Sequence, residues 1–528
     1  MLGNGWRLEE LRRADKHQRR ASDDDDDDGE KIQKKKKKKA SSVLTVLRPK
    51  PSLIETKNNE RSLLSDQERA ELRQLCGRTL YHSLQTAVRP RGGRGQDAVF
   101  VATGDIDDMW IRDSSVQLSV YFPRVSQRPA LRRVLEGAIR TQAFLILQDP
   151  YANAYSADWR DASKLPKSDR VIGRGGFVAT RNYELDSGAY FLNMLWNYHR
   201  ARPRPFGAEC FLNDTELFDA AALLVKTWTV EQRHEELSPY RYSELPRGGK
   251  GPLSAFTGMS WSGYRPSDDP QRYGYNVPVN MYAAGALERA LEINAEVWKS
   301  PEFAREASRL AGEIRAGIEA HGVVEVAGDD GTRTKMYAYE VDGLGGVLRD
   351  FDDPNVPSLL SVPLLGYPHF DPEVYAETRR RVLSSKNEHY FEGTVLTGLG
   401  SPHTPTGYVW PLAVMVEALT SDDAEKRANA LKSLLKAQCG NGLMHESVHH
   451  SEGSACTREW FEWANAMFVV LYEDSLRERC DAEAEGNRLA EIGKRETGTA
   501  VIPGVASSDP MADPLFYESL EAQIHFMP

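Results

Sequence analysis

Between positions 258 and 280 the chain concentrates aromatic, carboxylate and guanidinium side chains in a glycine- and proline-rich stretch. Trp261 offers a flat apolar face that can pack on the C–H side of a sugar ring, and Arg265 can hydrogen-bond hydroxyl groups in pairs. The adjacent Asp268 and Asp269 add acid–base chemistry, because two like charges this close favour one carboxyl group that keeps its proton near neutral pH. The alternative is a loop whose aspartates only cap a following helix. The flanking aromatic and arginine side chains favour a site that cleaves glycosidic bonds.

A second dense segment, Thr103–Ser114, again combines a stacking surface with a guanidinium and a carboxylate. Its core is Trp110, Arg112 and Asp113, and we interpret these residues as substrate-binding. The alternative leaves Asp113 and Ser114 as a helix cap, with Arg112 as the ion partner of the aspartate.

Three further segments place polar side chains on loops shaped by glycine and proline. One runs from Tyr337 to Ser361 and is rich in carboxylates. Another contains His403, which either donates to a substrate hydroxyl group or has a structural role. The last contains Glu446 within His445-Glu446-Ser447-Val448-His449, which matches the H-E-x-x-H pattern of zinc peptidases.

The zinc interpretation requires both histidines on one face of a stable helix. The sequence around the match argues against that, because glycines precede it at positions 440 and 442 and a Ser-Glu-Gly-Ser run follows it. No third ligand is evident either. We therefore favour Glu446 as a metal-free catalytic base and keep a zinc-dependent hydrolase as an alternative.

The elements that must position these loops are mostly helical. After a capping-type start at Ser65, long helical patterns recur, and strand signals are sparse. Predicted helices cover Pro129–Leu147, Tyr183–Tyr198, Asp214–His234, Val279–Trp298, Pro301–Ala320, Pro372–Leu383, Trp410–Leu419, Asp423–Ala437 and Thr457–Leu471. Helix pairs alternating with polar aromatic loops predict an all-α fold, an α/α toroid whose loops form a site at one end.

Composition excludes some classes of function. The formal net charge of the 528 residues is -10, and the first 62 residues carry a basic excess, so the body is more acidic still. An acidic body argues against nucleic acid as the substrate. No apolar run approaches the roughly 20 residues that cross a bilayer, so no membrane span is expected.

The cysteines and the amino terminus bear on the cellular compartment. Five scattered cysteines form no C-x-x-C pair, and we expect no disulfide framework, with a single bridge left open. The chain as it begins lacks the apolar stretch of a secretory signal, which predicts a cytosolic protein. A misassigned start site would leave the secretory pathway open.

Charge runs divide the chain into three parts. Runs of six aspartates and six lysines lie within residues 1–62, which we predict to be a disordered tail. Residues 63–480 are the predicted catalytic domain. Residues 481–528 are the predicted carboxy-terminal extension, with packing on that domain left open.

The ordered set of motifs resembles glycoside hydrolase family 125, the exo-α-1,6-mannosidases that include a fungal, meiotically up-regulated branch. The likeness covers roughly residues 64 to 474. Its motifs are Gly-Asp-Ile-x-x-Met-Trp-Ile-Arg-Asp-Ser, Tyr-Glu-Leu-Asp-Ser, Trp-Ser-Gly-Tyr-Arg-Pro-Ser-Asp-Asp, Ala-Tyr-Glu-Val-Asp-Gly, Asp-Asp-Pro-Asn-Val-Pro-Ser-Leu-Leu, Gly-Ser-Pro-His-Thr, Met-His-Glu-Ser and Thr-Arg-Glu-Trp-Phe-Glu-Trp-Ala-Asn. The resemblance implies an (α/α)6 toroid, in agreement with the helical patterns.

The resemblance also implies an inverting mechanism. The acid comes from Asp268 or Asp269, with a slight preference for Asp268, and the base is Glu446. Inversion needs room for a water molecule, so the two carboxyl groups are expected roughly 6.5 to 9.5 Å apart. By matching position, the candidates for the subsite of the terminal mannose are Trp110, Arg112, Asp113, Trp261, Arg265, His403, Arg458 and Trp460.

These inferences together predict an exo-acting glycoside hydrolase that releases terminal α-1,6-linked mannose from N-glycan or mannan oligosaccharides. The family implies no metal and no cofactor. The predicted partner is a mannose-containing oligosaccharide. Besides the zinc hydrolase, a non-catalytic mannose-binding protein remains an alternative.

Overall fold

The computed structural model describes residues 60–90, 98–125, 128–171, 173–201, 210–328 and 331–481. Within these ranges the protein is mostly helical. The longer helices are α1 (Asp66–Thr86), α2 (Ile111–Ser119), α3 (Pro129–Gln148), α4 (Leu185–Ala201), α5 (Thr215–Glu231), α6 (Val277–Ile293), α7 (Pro301–Gly317), α8 (Pro372–Val382), α9 (Pro411–Leu419), α10 (Ala424–Lys436) and α11 (Glu462–Leu476). The short helical turns are Arg61–Leu63, Phe122–Arg124, Ala162–Lys164, Lys167–Val171, Phe211–Asn213, His234–Leu237, Pro246–Gly249, Asn294–Trp298, Ile318–Gly322 and Val362–Leu364.

Short antiparallel strands lie in the loops between the helices. They are β1 (Val88–Pro90), β2 (Val99–Val101), β3 (Met109–Trp110), β4 (Ala154–Arg160), β5 (Gly176–Thr180), β6 (Tyr275–Asn276), β7 (Val323–Ala327), β8 (Arg333–Tyr337), β9 (Glu340–Val341), β10 (Val347–Leu348), β11 (Tyr390–Phe391), β12 (Gly398–Leu399), β13 (Tyr408–Val409), β14 (Ser447–His449) and β15 (Cys456–Thr457). They form sheets of two or three strands, such as β3–β4–β5 and β13–β14–β15.

Local sequence explains where the helices begin. Ser65 and Glu68 form the predicted capping box of α1, with each side chain accepting a hydrogen bond from the other residue's backbone N–H. Asp371 and Asp423 cap α8 and α10 in the same way, by accepting bonds from backbone groups of the first turn. These starts coincide with the predicted ones.

The helices form two layers. Helices α2, α4 and α6 pack side by side in that order, and α11 packs against both α2 and α9. Every residue of α2 is buried, and so is nearly all of α4 and α6. In contrast, α7 and α10 bury only one face, as expected for helices between the core and solvent. Along the chain, helices of the buried layer alternate with helices of the outer layer. The exception is the segment between α7 and α8, where the short turn Val362–Leu364 packs against α6.

Two helix predictions need correction. Helix α11 begins at Glu462, five residues later than predicted, so Trp460 lies on the preceding loop and not on the helix. Helix α2 was not predicted at all, because its polar first turn has the composition of a loop. The predicted Val279–Trp298 and Pro301–Ala320 end in π-helical turns, Asn294–Trp298 and Ile318–Gly322.

The expectation of no disulfide framework is wrong. Cys76 on α1 is bonded to Cys480 just after α11, and Cys439 is bonded to Cys456 on β15. Cys210 is buried and free. The first bond joins residues separated by 404 positions and therefore links the two ends of the described chain.

Replacing Cys480 with serine is expected to lower the free energy of unfolding by about 2–5 kcal/mol, because the unfolded chain regains the freedom that the bond removes. Denaturant unfolding without reductant measures the loss. A thiol titration of the unfolded, unreduced wild-type protein checks that the other four cysteines are paired, since it should detect only Cys210. Cys210→Ser is the matched control, and equal stability of all three proteins would contradict the prediction.

The packed body extends slightly beyond the predicted domain limits. Glu60, assigned to the tail, is buried and pairs with Arg427 at 2.9 Å. Asp481, assigned to the extension, is buried between Arg124 and Arg128. The rest of the predicted tail and extension lies outside the described residues. No helix in the described ranges has the length and apolar character to span a membrane.

Candidate active site

Strand β3 runs directly into α2, and this junction places Trp110 and Arg112. Trp110 pairs with Ala154 of β4 and is half-buried, and its backbone N–H donates to Thr103 Oγ1 at 3.1 Å. Arg112 and Asp113 are buried in the first turn of α2. Trp110 is the N-cap residue and no side chain caps the helix, so the interpretation of Asp113 as a cap is wrong.

Arg112 lies at the centre of a cluster of carboxyl groups from three parts of the chain. Its Nη1 donates to Glu184 Oε2 at 2.6 Å, and its Nη2 donates to Asp268 Oδ2 at 3.2 Å. Its Nε is 3.2 Å from Asp113 Oδ2, and its Nη1 is 3.9 Å from Asp186 Oδ2. One guanidinium therefore faces four carboxyl groups within a buried site.

Asp268 occupies the tip of a tight turn. Its backbone has a positive φ of 66°, its N–H donates to Arg265 O, and its side chain is 26% exposed. Oδ1 accepts hydrogen bonds from Trp110 Nε1 at 3.1 Å and from Asn153 Nδ2 at 2.6 Å. The turn thus presents one partly exposed carboxyl group whose orientation is fixed by three donors.

Glu340 on β9 stabilises the turn that carries Asp268. This fully buried carboxylate accepts hydrogen bonds from Arg265 Nε at 2.6 Å and from the backbone N–H groups of Arg272 and Tyr273 at 2.8 and 2.9 Å. Arg265 also packs over the ring of Phe351. Arg265 therefore supports the turn through its Nε, and its role as a substrate-binding residue stays a prediction.

The carboxyl groups around Arg112 have pKa values that move in different directions. Burial raises the pKa of Glu184 well above its usual value although Arg112 opposes the shift, and burial raises the pKa of Asp186 to about 7. Burial also raises the pKa of Asp113. For Asp268, burial is outweighed by Arg112 and by hydrogen bonds from Glu184 and Trp110, and the pKa is lowered. Burial thus favours the protonated forms of Glu184, Asp186 and Asp113, whereas the contacts of Asp268 favour its carboxylate.

Asp269 points to a different partner. Its Oδ1 lies 3.0 Å from Nδ1 of His403, and this hydrogen bond, partly opposed by burial, raises the pKa of His403 to about 9. His403 is consequently a cation at neutral pH, with Asp269 as its counter-ion. The side chain of His403 is 36% exposed, so a ligand can reach it.

Glu446 immediately precedes β14, the central strand of the β13–β14–β15 sheet. Thr457 Oγ1 on β15 donates to Glu446 Oε2 at 3.0 Å, and Arg458 Nη1 lies 3.8 Å from Oε1. Arg458 has a positive φ of 56° and donates through Nε to Asp105 at 2.8 Å. This arrangement leaves Glu446 one close hydrogen-bond donor and a nearby cation.

The loops carrying these residues converge on one region. The negative charges of Asp269, Glu446 and Asp268 each act to raise the pKa of His403. The charge of Arg458 likewise reaches Asp113 and lowers its pKa. Contacts also join the acid and base candidates, which are 178 positions apart in the sequence. Arg458 lies 3.8 Å from Glu446 and donates to Thr103 O at 3.3 Å, and Trp110, whose backbone N–H donates to Thr103, donates through its ring to Asp268.

The local structure does not fit the zinc interpretation. Ser447–His449 is a strand, so His445 and His449 do not share a helix face. Both ring nitrogens of His445 contact backbone carbonyl oxygens, those of Arg458 at 2.9 Å and Gln438 at 3.2 Å. His445 also lies near Cys439 and Cys456, but those sulfur atoms are bonded to each other.

The two other predicted binding tryptophans differ in burial. Trp261 is fully buried, and its ring stacks on His234 with the centroids 3.5 Å apart. Its predicted role on a sugar face is therefore wrong, and it belongs to the core beneath the turn. Trp460 is half-buried and packs edge-on against His82.

Sequence reasoning missed the residues that hold Asp268 in place. Asn153 follows α3, and its Oδ1 accepts from Thr180 Oγ1 at 2.6 Å while its Nδ2 bridges Glu184 and Asp268. Nothing around Asn153 in the sequence signals this role. Glu184 and Asp186, by contrast, lie in the Tyr-Glu-Leu-Asp-Ser motif, which was noticed without assigning either carboxyl group a role.

Comparison with known proteins agrees with this picture. Residues 69–472 match the protein family described as metal-independent alpha-mannosidase (GH125). The meiotically up-regulated gene 157 protein of Schizosaccharomyces pombe is 34% identical over 457 residues, which cover 81% of this chain and 86% of the relative. A solved Streptococcus pneumoniae structure from a family of metal-independent alpha mannosidases, in a non-productive complex with alpha-1,6-mannobiose, matches with a TM-score of 0.71 at 36% identity. That match covers 81% of this chain and 97% of the other.

These proteins match most of the length of this helical chain, which carries a cluster of buried carboxyl groups. The match identifies the chain as a glycoside hydrolase. The chain belongs to glycoside hydrolase family 125, the metal-independent alpha-mannosidases. The family resemblance inferred from the motifs is thereby confirmed.

Proposed function

We propose that this protein is an exo-acting, inverting hydrolase of terminal α-1,6-linked mannose in N-glycan or mannan oligosaccharides. Family membership supports the mannosidase activity, and the bound α-1,6-mannobiose of the Streptococcus pneumoniae relative supports the linkage. The observation that carries the mechanism is the chain of contacts between Glu446 and Asp268, which runs through Arg458, Thr103 and Trp110.

In this proposal the fold is an (α/α)6 toroid. The pairwise packing of α2, α4, α6, α9 and α11 supports five positions of an inner ring, and the turn Val362–Leu364 would take the sixth. The outer ring would consist of α1, α3, α5, α7, α8 and α10. The active site would then lie at the end where β3, the Asp268 turn and β14 meet.

Asp268 acts as the general acid and Glu446 as the general base. Asp269 is less suited to be the acid because it is the counter-ion of the His403 cation. Glu446 removes a proton from a water molecule that attacks the anomeric carbon, while Asp268 protonates the leaving glycosidic oxygen. Trp110, His403 and Arg458 then line the mannose subsite, and Arg112 and Asp113 orient the acid from beneath.

A product analysis tests this function. Purified protein is incubated with the methyl glycosides of α-1,6-mannobiose and of its α-1,2 and α-1,3 isomers, so that the only free mannose is the one released by cleavage, and the products are followed by proton NMR from the first minutes. We expect cleavage of the α-1,6 isomer with β-mannose as the first product, since attack by water inverts the anomeric carbon. Cleavage of only the other isomers would refute the linkage, and initial α-mannose would refute inversion. Binding without cleavage would favour the non-catalytic alternative.

We also infer that the protein matures in an oxidising compartment. Disulfide bonds persist in such compartments and are rare where thiols are kept reduced. Two bonds here involve four of the five cysteines, which favours the secretory alternative over the cytosolic prediction. The thiol titration described above, applied to protein isolated from its native source, distinguishes the two.

A further inference from the structure

Glu184 and Asp268 are held side by side by the same two residues. Asn153 Nδ2 donates to Glu184 Oε1 at 3.1 Å and to Asp268 Oδ1 at 2.6 Å. Arg112 bridges the other two carboxyl oxygens through its Nη1 and Nη2. This close approach of the two carboxyl groups also acts to raise the pKa of Glu184 and to lower that of Asp268. Such a contact is favourable only when one of the two groups carries a proton.

Charge balance gives the same result. The groups that face Glu184 from the surrounding elements are Arg112 and Asp113 on α2, Asp186 on α4, and Tyr264 and Asp268 on the turn. His403 lies farther away, beyond Asp268. Ionising all four carboxyl groups against one guanidinium would leave uncompensated negative charge in a buried site, which is strongly unfavourable.

The pair divides its proton unequally in the absence of substrate. Burial raises the pKa of Glu184 well above its usual value, whereas Arg112 and the hydrogen bonds at Asp268 lower the pKa of that group despite its burial. The proton therefore resides mainly on Glu184. This poses a problem for the proposed mechanism, because an acid must hold its proton when the substrate binds.

We propose that Glu184 is the positioning residue that supplies this proton, so that Glu184 and Asp268 work as one acid pair. The inference rests on the proposed function, with Asp268 next to the glycosidic oxygen. The carboxyl proton moves from Glu184 to Asp268, and Asp268 passes it to the leaving oxygen, which leaves both groups as carboxylates next to Arg112. The C–O bond to the anomeric carbon breaks, and water forms the new bond as Glu446 takes its proton. Solvent exchange then returns a proton to the pair and removes one from Glu446.

Glu184→Gln tests the proposal, because glutamine keeps the shape and can accept one of the two hydrogen bonds that Glu184 accepts from Asn153 and Arg112, but it cannot give up a proton. In the variant no neighbouring carboxyl group supplies a proton to Asp268, and Arg112 still stabilises the Asp268 carboxylate. Asp268 therefore loses its proton at a lower pH than the pair does in the wild type. We expect the alkaline limb of the pH profile of kcat/KM for α-1,6-mannobiose to shift to lower pH by more than about one unit. The rate at pH 7 should fall about 10²-fold. The rate should recover as the pH is lowered.

A second substrate separates proton supply from structural damage. α-Mannosyl fluoride has a leaving group that needs little protonation, so Glu184→Gln should hydrolyse it within about threefold of the wild-type rate. Glu340→Gln is the matched control, since it weakens support of the same turn without touching the pair. It should slow both substrates alike without shifting the alkaline limb. The same pattern in Glu184→Gln would overturn the proposal.

Infrared difference spectroscopy provides a measurement that does not depend on activity. The difference spectrum between the wild type and Glu184→Gln is recorded at a pH above the pKa of Asp186, which is about 7. It should show the C=O stretch of a protonated carboxyl group. Absence of that band would refute the shared proton. If the wild type does not cleave α-1,6-mannobiose but the band is present, then the proposed function fails and the proton pair stands.

Discussion

Glu446→Gln is expected to lower kcat for α-1,6-mannobiose by about 10²–10⁴-fold, the usual contribution of a general base. Glutamine has nearly the same shape and can still accept the hydrogen bond from Thr457 Oγ1. It cannot take a proton from the attacking water, however. The change should therefore affect kcat much more than KM and leave the melting temperature close to that of the wild type.

Azide distinguishes loss of the base from general damage to the site. Azide needs no deprotonation, so it should restore turnover of α-mannosyl fluoride by Glu446→Gln and give the β-mannosyl azide, the product of inversion. The matched control is Glu452→Gln, because Glu452 is exposed in the loop between β14 and β15. That variant should retain full activity. Full activity in Glu446→Gln would remove its role as base.

Much of the fold could be predicted because its signals are local. The Ser65 capping box, the Asp423 cap and the helical periodicity each depend on residues within a few positions of one another. Helix α2 was missed for a physical reason. Arg112 and Asp113 in its first turn are buried against Glu184 and Asp268, and only tertiary contacts make such polar residues compatible with a buried helix.

The chemistry of the site could be predicted from residue types, but its support could not. Adjacent aspartates and the Met-His-Glu-Ser motif identify candidate acids and a base. Asn153 and Glu340, which fix the orientation of Asp268 and the turn below it, have no unusual sequence context. Their roles follow from contacts between residues about 70 to 115 positions apart, which no local pattern encodes.

Aromatic composition was misleading for the same reason. Trp261 was assigned to substrate because it lies in a polar segment, yet its ring is covered by His234 and Tyr183. The position of a side chain relative to the surface depends on how the segment folds back on α5 and β6, and composition does not record that. The pairing of Cys76 with Cys480 depends likewise on α11 packing against α1.

Asp268→Asn is expected to lower kcat for α-1,6-mannobiose by about 10²–10⁴-fold, because the glycosidic oxygen would leave without a proton. Asparagine tolerates the left-handed backbone that this position requires, so the turn should be retained. The loss should be much smaller for α-mannosyl fluoride. This dependence on the leaving group distinguishes an acid from a base, since Glu446→Gln should slow both substrates.

Asp269→Asn is the matched control for the adjacent carboxyl group. It removes the partner of His403, so the pKa of His403 should fall from about 9 toward its usual value, as an NMR titration would show. If His403 binds a sugar hydroxyl group, this variant should raise KM more than it lowers kcat. A loss that depends on the leaving group in Asp269→Asn but not in Asp268→Asn would instead make Asp269 the acid. Glu184 would then have no acid to supply, because its proton reaches only Asp268.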